Sequence, residues 1–317
     1  MTAKRGRRSL VFLVRGAVGA AVLAYLFSQL QGGEVAAALR SLDAPLWIAA
    51  VALYLVGQAV CAWKWGLLAG ALGMHRPYRS LLAYYCGGMF ANLFLPTTVG
   101  GDIGRAAAIA PPDGSLGRGV ISVLGDRGSG FIALLLLAGV GVLMEPGLPA
   151  WIRLGTLACA ALALAGSIAA LAAPDLFRRL GKPLHGAILV CRPPALWIPV
   201  AVVSLLFQVL AVGVHVLLGR ALGLEIPLGT YVLASTLVAI VAMAPISING
   251  LGTRDAAYVY FLGLAQVPQE SGLAFALSWL ALILVSGAIG GLVFSLLAPG
   301  QMTFFTRRAP AEGEEGR

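Results

Sequence analysis

Charge is scarce in this 317-residue chain: Asp, Glu, Lys and Arg make up 11% of it, against 59% hydrophobic residues. A soluble domain carries roughly 25% charged residues, so a surface solvated by water on all sides is excluded. The chain also lacks any hydrophilic stretch long enough for a soluble domain, its polar parts being the two tails and segment 174–194. Cysteine is sparse, and Cys61, Cys86, Cys159 and Cys191 have no metal-ligand spacing, so they read as packing residues without a disulfide. His75, His185 and His215 are too scattered for a metal site or a catalytic dyad. HExxH, GxSxG, P-loop and D-x-D patterns are all absent. The expectation is a protein that is not an enzyme and uses no cofactor.

What the chain has is apolar length. Crossing a bilayer core takes roughly 20 residues, and such stretches recur at 9–30, 46–68, 120–144, 151–173, 196–218 and 272–298. The net charge of +9 does not point to nucleic acid, because the basic residues cluster between apolar segments, where they orient helices and meet anionic lipid. Lys4, Arg5, Arg7 and Arg8 precede the first segment, but Arg15 interrupts it and no A-x-A site follows, so it reads as an uncleaved first helix. Arg307 to Arg317 is a polar tail of disordered composition.

Two stretches spell nearly the same thing. Pro96-Thr97-Thr98-Val99-Gly100-Gly101-Asp102-Ile103-Gly104-Arg105 aligns without a gap on Pro245-Ile246-Ser247-Ile248-Asn249-Gly250-Leu251-Gly252-Thr253-Arg254, 149 residues later. Each follows a short apolar segment, 80–95 or 229–244, and supplies a helix breaker, glycines and a cation. Interrupted segments at matching places in two halves point to a transport site.

Charge sets the topology. The basic N-terminal tail is expected in the cytoplasm. The loop after 46–68, credited with Lys64, Arg76 and Arg79, and segment 174–194 with Arg178, Arg179, Lys182 and Arg192 are expected there too. Residues 80–110 then begin and end on one side, as a re-entrant hairpin entering along 80–95, turning at Pro96 to Gly101 and returning along 102–110. Segment 229–265 repeats this from the other face, and Arg307 and Arg308 return inside. An odd number of crossings per half makes the halves inverted repeats, about 9–145 and 150–298, between a basic tail (1–8) and a polar tail (301–317). The expected fold is an all-α membrane protein of about six spanning helices and two hairpins, with both termini cytoplasmic.

The motif chemistry follows from residue types. Pro96 and Pro245 cannot continue a helix; Gly100, Gly101, Gly250 and Gly252 permit positive φ and close approach. Asp102 and Thr253 are candidate N-caps of the returning arms, whose free N–H groups and dipoles would favour an anion. Arg105 and Arg254, in the first turn or so of those arms, have the fork that holds phosphate. The bland alternative is that each pairs with a nearby carboxylate, Asp102 or Asp255, and locks the turn. Asp126 and Arg127 form a second polar island, with Arg105 and Asp102 as their respective expected partners, or with snorkelling to cytoplasmic water as the alternative. Asn92 either satisfies carbonyls freed by Pro96 or contacts substrate. Ser247, Asn249 and Asp255 complete the candidate substrate residues. Gln58, Gln208 and His215 read as interhelical hydrogen-bonding residues. Asp175 to Val190 reads as an amphipathic cytoplasmic helix on anionic lipid.

At these motifs the chain resembles the lysylphosphatidylglycerol synthase transmembrane region family of flippase-like membrane proteins. The resemblance rests on Asn92 through Pro96 with Gly101 and Arg105, on Asp126-Arg127, and on Pro245 through Asp255, in the family's order and spacing. Asp126 and Asp255 stand where the family more often has Glu. Full-length synthases add a second membrane part and a soluble aminoacyl-transfer domain; nothing of that size follows residue 300, so lysyl-lipid synthesis is not expected. The resemblance implies movement of a lipid head group across a bacterial inner membrane, and relatives linked to polyprenyl-linked glycans, cardiolipin and hopanoids leave the lipid open. The alternative is a non-catalytic membrane subunit that docks a lipid- or glycan-modifying enzyme through segment 174–194.

Overall fold

The computed structural model describes residues 32–95, 99–110, 116–173, 175, 181–244, 247 and 250–298. Its eleven helices are α1 (Gly32–Arg40), α2 (Ala44–Ala71), α3 (Tyr78–Phe94), α4 (Val99–Ile109), α5 (Leu116–Met144), α6 (Ala150–Ala172), α7 (Lys182–Cys191), α8 (Pro194–Ala221), α9 (Leu228–Met243), α10 (Thr253–Gly263) and α11 (Gln269–Leu297). No strand occurs among the described residues. Proline sets many of the starts: α3, α6, α8, α9 and α11 each begin directly after Pro77, Pro149, Pro193, Pro227 or Pro268. A residue without an N–H ends the preceding backbone pattern yet has a φ that feeds a helix. At α2 the Asp43 carboxylate accepts from the Leu46 N–H at 3.0 Å, a side-chain N-cap.

Five helices, α2, α5, α6, α8 and α11, are long and apolar enough to cross a membrane. They match five of the expected spans to within a few residues; the sixth, 9–30, lies outside the described residues, as do both tails. Helices α3 and α9 have 17 and 16 residues, about 26 and 24 Å at 1.5 Å per residue, short of a ~30 Å core. Each packs on the helix that follows it, α3 on α4 and α9 on α10, so both motif segments contain a packed pair of helices. Of the turns themselves, Pro96, Pro245 and Asn249 lie outside the described residues.

The two halves interlock. Helices α2 and α8 pack along each other, α3 lies against α11, and α9 lies against α5. Each short helix therefore rests on the last long helix of the other half. Small residues let them approach: a Cβ at Gly290 would stand 3.0 Å from the Cys86 carbonyl oxygen on α3, and one at Gly141 would stand 2.9 Å from Val232 on α9. Gly141 and Gly290 are separated by the same 149 residues as the two motifs.

Several sequence expectations change here. Helix α4 begins at Val99, so Gly100 and Gly101 are helical and Asp102 lies within the first turn rather than at the N-cap. The N-cap of α10 is Gly252, not Thr253. Among the described motif residues, positive φ occurs in the second motif, at Gly250 (76°) and Gly252 (79°), where a side chain would be strained. Lys64 is not a loop residue. It lies inside α2 and is 2% exposed, so it does not count toward the charge of the following loop. Of the expected amphipathic helix, residues 182–191 form α7, which packs against α5, with Gly186 close to Ile121. Arg178 and Arg179 lie outside the described residues.

Candidate functional site

The first hairpin is closed by backbone contact. A Cβ on Gly101 would fall on the carbonyl oxygen of Gly88 in α3, so only glycine lets the two arms cross this closely. The Asn92 side-chain oxygen accepts from the Gly101 N–H at 2.9 Å. Asn92 thus satisfies an orphan donor at the start of α4.

One turn further along α4, Arg105 enters a connected set of charges. Its guanidinium donates to Asp126 at 2.8 Å and to Asp102 at 3.3 Å. Arg127 donates to both Asp102 oxygens, at 2.8 and 2.9 Å, the bidentate geometry of a strong pair. These are the two pairings expected from the sequence, Arg105 with Asp126 and Asp102 with Arg127. The bland alternative is present as well, since Arg105 reaches Asp102 three residues before it.

Arg105 is 2% exposed. Its guanidinium carbon lies 4.5 Å from the centre of the Trp65 ring and 4.0 Å from that of Tyr85, cation–π distances. Trp65 is itself oriented by its indole N–H, which donates to Ser122 Oγ at 3.0 Å. With two carboxylates and two ring faces around it, Arg105 is enclosed in this conformation. Arg127 is the open member of the set, its side chain 51% exposed. It lies about 17 Å along α5 from Leu116, in a helix about 43 Å long, well inside the apolar stretch.

Lys64 is the member of this charge set that sequence reasoning missed. Its ammonium lies 3.1 Å from Asp126 Oδ1 and donates to the Asp126 carbonyl at 3.0 Å and to Ser129 and Ser204 Oγ at 3.2 Å each. It therefore joins α2, α5 and α8. Nearby, Gln208 donates to the Gly130 carbonyl at 3.1 Å, the interhelical role expected of it; Gln58 is buried. A lysine seven residues before a helix end looks like an anchor at the water boundary, and the signal against that was its place on the face that meets α8.

The second hairpin has a smaller polar set. Arg254 donates to Asp255 Oδ1 at 3.2 Å, and Asp255 Oδ2 accepts from the Gly252 N–H at 2.9 Å. Ser247 and Thr253 hydroxyls meet at 2.7 Å. Asp255 thus caps α10, and Asn92 and Asp255 each occupy an N–H group once expected to be free for an anion. Arg254 is 8% exposed, and its Nε has no hydrogen-bond partner among the described residues. The charge network is not repeated: at the places matching Lys64, Asp126 and Arg127 stand Gly213, Phe275 and Ala276. Instead His215 meets the Tyr258 hydroxyl at 2.9 Å and lies against Phe275 and Trp279. The His215 Nδ1 lies 2.8 Å from the Ala211 carbonyl, which can only accept, so in the neutral ring Nε2 accepts from Tyr258.

Comparison with known proteins gives one match. The family model described as Lysylphosphatidylglycerol synthase TM region matches residues 12–291. No curated protein matches the chain, and no solved structure does. The chain belongs to the lysylphosphatidylglycerol synthase transmembrane region family and is a multi-pass membrane protein.

Proposed function

We propose that this member of the lysylphosphatidylglycerol synthase transmembrane region family is not an enzyme but a translocase, moving a lipid with an anionic or phosphate-bearing head group across the bacterial inner membrane. The observation that carries the reading is the interlocked set Arg105–Asp126 and Asp102–Arg127, which ties a non-spanning helix pair to a spanning helix through ion pairs. Charge at that depth is costly even when paired, and it marks substrate pathways. The two hairpins are inverted repeats that approach from opposite faces, with Arg127 and Arg254 the arginines within reach of a head group and Arg105 reached once the first hairpin moves. Both termini are cytoplasmic, and membrane lipid is the partner that matters.

The test is lipid movement in proteoliposomes, with head-group-accessible fluorescent phosphatidylglycerol as the reporter. The purified protein should scramble or pump it, and Arg127→Ala and Arg254→Ala should each slow it about tenfold or more, the loss of a charged hydrogen bond worth ~1.5–3 kcal/mol. Absence of any lipid movement by the unmodified protein sinks the reading. A stoichiometric complex whose enzyme partner loses activity on deletion, again without lipid movement, would favour the docking-subunit alternative.

The topology is tested separately with Gly117→Cys and Arg192→Cys in a cysteine-free background. Both positions are exposed. They should resist an impermeant thiol reagent in intact cells and react with a permeant one; labelling of either from outside rules out the re-entrant arrangement.

A further inference from the structure

The charge network is unbalanced. Lys64, Arg105 and Arg127 supply three cations, while Asp102 and Asp126 supply two carboxylates, all linked by contacts of 3.3 Å or less. Four of the five side chains are buried to 84% or more. Every cation has a carboxylate neighbour, but the set as a whole carries one positive charge in excess among the described residues. In a low-dielectric setting an unpaired charge is far more costly than a paired one. The structure does not discharge the excess by burying it evenly: Lys64 and Arg105 are held inside by Asp126, while Arg127, bound to Asp102 alone, is half-exposed.

We propose that the network is a receptor for a single negative charge, a monoanionic phosphodiester lipid head group bound at Arg127, and that Lys64 sets this preference without touching the lipid. This rests on the translocation reading and deepens it. Without Lys64 the remaining groups, two arginines and two carboxylates, balance, and a zwitterionic head group would be received as well as an anionic one. With Lys64 holding Asp126 on one oxygen, the carboxylates cannot neutralise both arginines. The ammonium thus transmits its charge through Asp126 and Arg105 to the open end of the set. Its four oxygen neighbours on α5 and α8 keep it from reaching the opening itself, which makes Lys64 a positioning and specificity-determining residue rather than a ligand.

The count makes an unusual prediction about pairs of substitutions. In purified full-length protein, thermal stabilisation by mixed micelles of phosphatidylglycerol is compared with that by phosphatidylcholine. The comparison is made at raised ionic strength, so that exposed basic patches are screened. The unmodified protein should prefer phosphatidylglycerol. Lys64→Met should abolish the preference, and Lys64→Arg should retain it. Lys64→Met combined with Asp126→Asn restores the excess of one cation and should restore the preference. If Lys64→Met does not fold, Lys64→Gln gives the same count with a polar end for the serines. A Lys64→Met protein that keeps full preference overturns the proposal, as does a double variant that behaves like Lys64→Met alone. Stabilisation by inorganic phosphate alone, with none from phosphatidylglycerol, overturns the assignment to a lipid. The readout is binding, so a protein that binds selectively yet moves no lipid refutes the translocase and leaves this inference standing.

Discussion

Asp126→Ala is expected to destabilise the protein by about 3–5 kcal/mol, the range for removing one partner of a buried ion pair. Its carboxylate is in contact with Lys64 and Arg105, both about 2% exposed. Without it Arg105 keeps Asp102 at 3.3 Å and the two ring faces, but Lys64 keeps only a carbonyl and two hydroxyls. Most of the cost therefore falls on the stranded ammonium rather than on the lost attraction. A double-mutant cycle with Lys64→Met separates the two: the pair removed together should cost markedly less than the separate losses predict, because neither charge is left alone. Equilibrium unfolding in detergent measures this. A loss below about 1 kcal/mol for Asp126→Ala, the size of an exposed ion pair, would mean that water reaches the set.

The second large effect is expected at Gly101→Ala. The added methyl would meet the Gly88 carbonyl and the Asn92 side chain, and the first of these is backbone that has no rotamer to change. Overpacking of this kind costs about 1–3 kcal/mol or more, and the arms can relieve it only by separating. Separation would break the 2.9 Å bond from Gly101 to Asn92 and carry Arg105, one turn later, away from Asp126. Lipid movement should therefore fall more than stability does. Gly128→Ala is the matched control: a Cβ there meets nothing within 4 Å, and alanine in a helix is favoured over glycine by roughly 0.5–1 kcal/mol. A Gly101→Ala protein as stable and active as Gly128→Ala would show that the arms do not need to touch.

The duplicated motif was readable because it is local. Proline, glycine and arginine announce a broken helix wherever the chain is otherwise apolar, and α3–α4 and α9–α10 follow those signals. The pairing of Arg105 with Asp126 and of Asp102 with Arg127 was also within reach, since few charges are available at that depth and each needs a partner. What could not be read was the company of Lys64. Its position near the end of an apolar segment satisfies the rule for a cytoplasmic anchor, and Ser204 is 140 residues away in sequence. Nor could the enclosure of Arg105 by Trp65 and Tyr85 be read, because those rings come from two other helices. The caps differed from expectation for a related reason. Asp102 and Thr253 have the right chemistry, but α4 starts already at Val99, where the arms lie close at Gly88 and Gly101, and Asp255 reaches back to Gly252 instead.

By itself the sequence determined that this chain lives in a membrane, which segments are long enough to cross it, and where two short segments break. Those are properties of hydrophobic length and of backbone chemistry, and each is settled within some 20 residues. Only the tertiary structure decided which charges share one network, that Lys64 belongs to it, and that the halves are unequal, one carrying ion pairs where the other carries Phe275 and a histidine–tyrosine contact. Those depend on which helix faces meet, and in an almost uniformly apolar chain the periodicity that would reveal a buried face is too weak to show it.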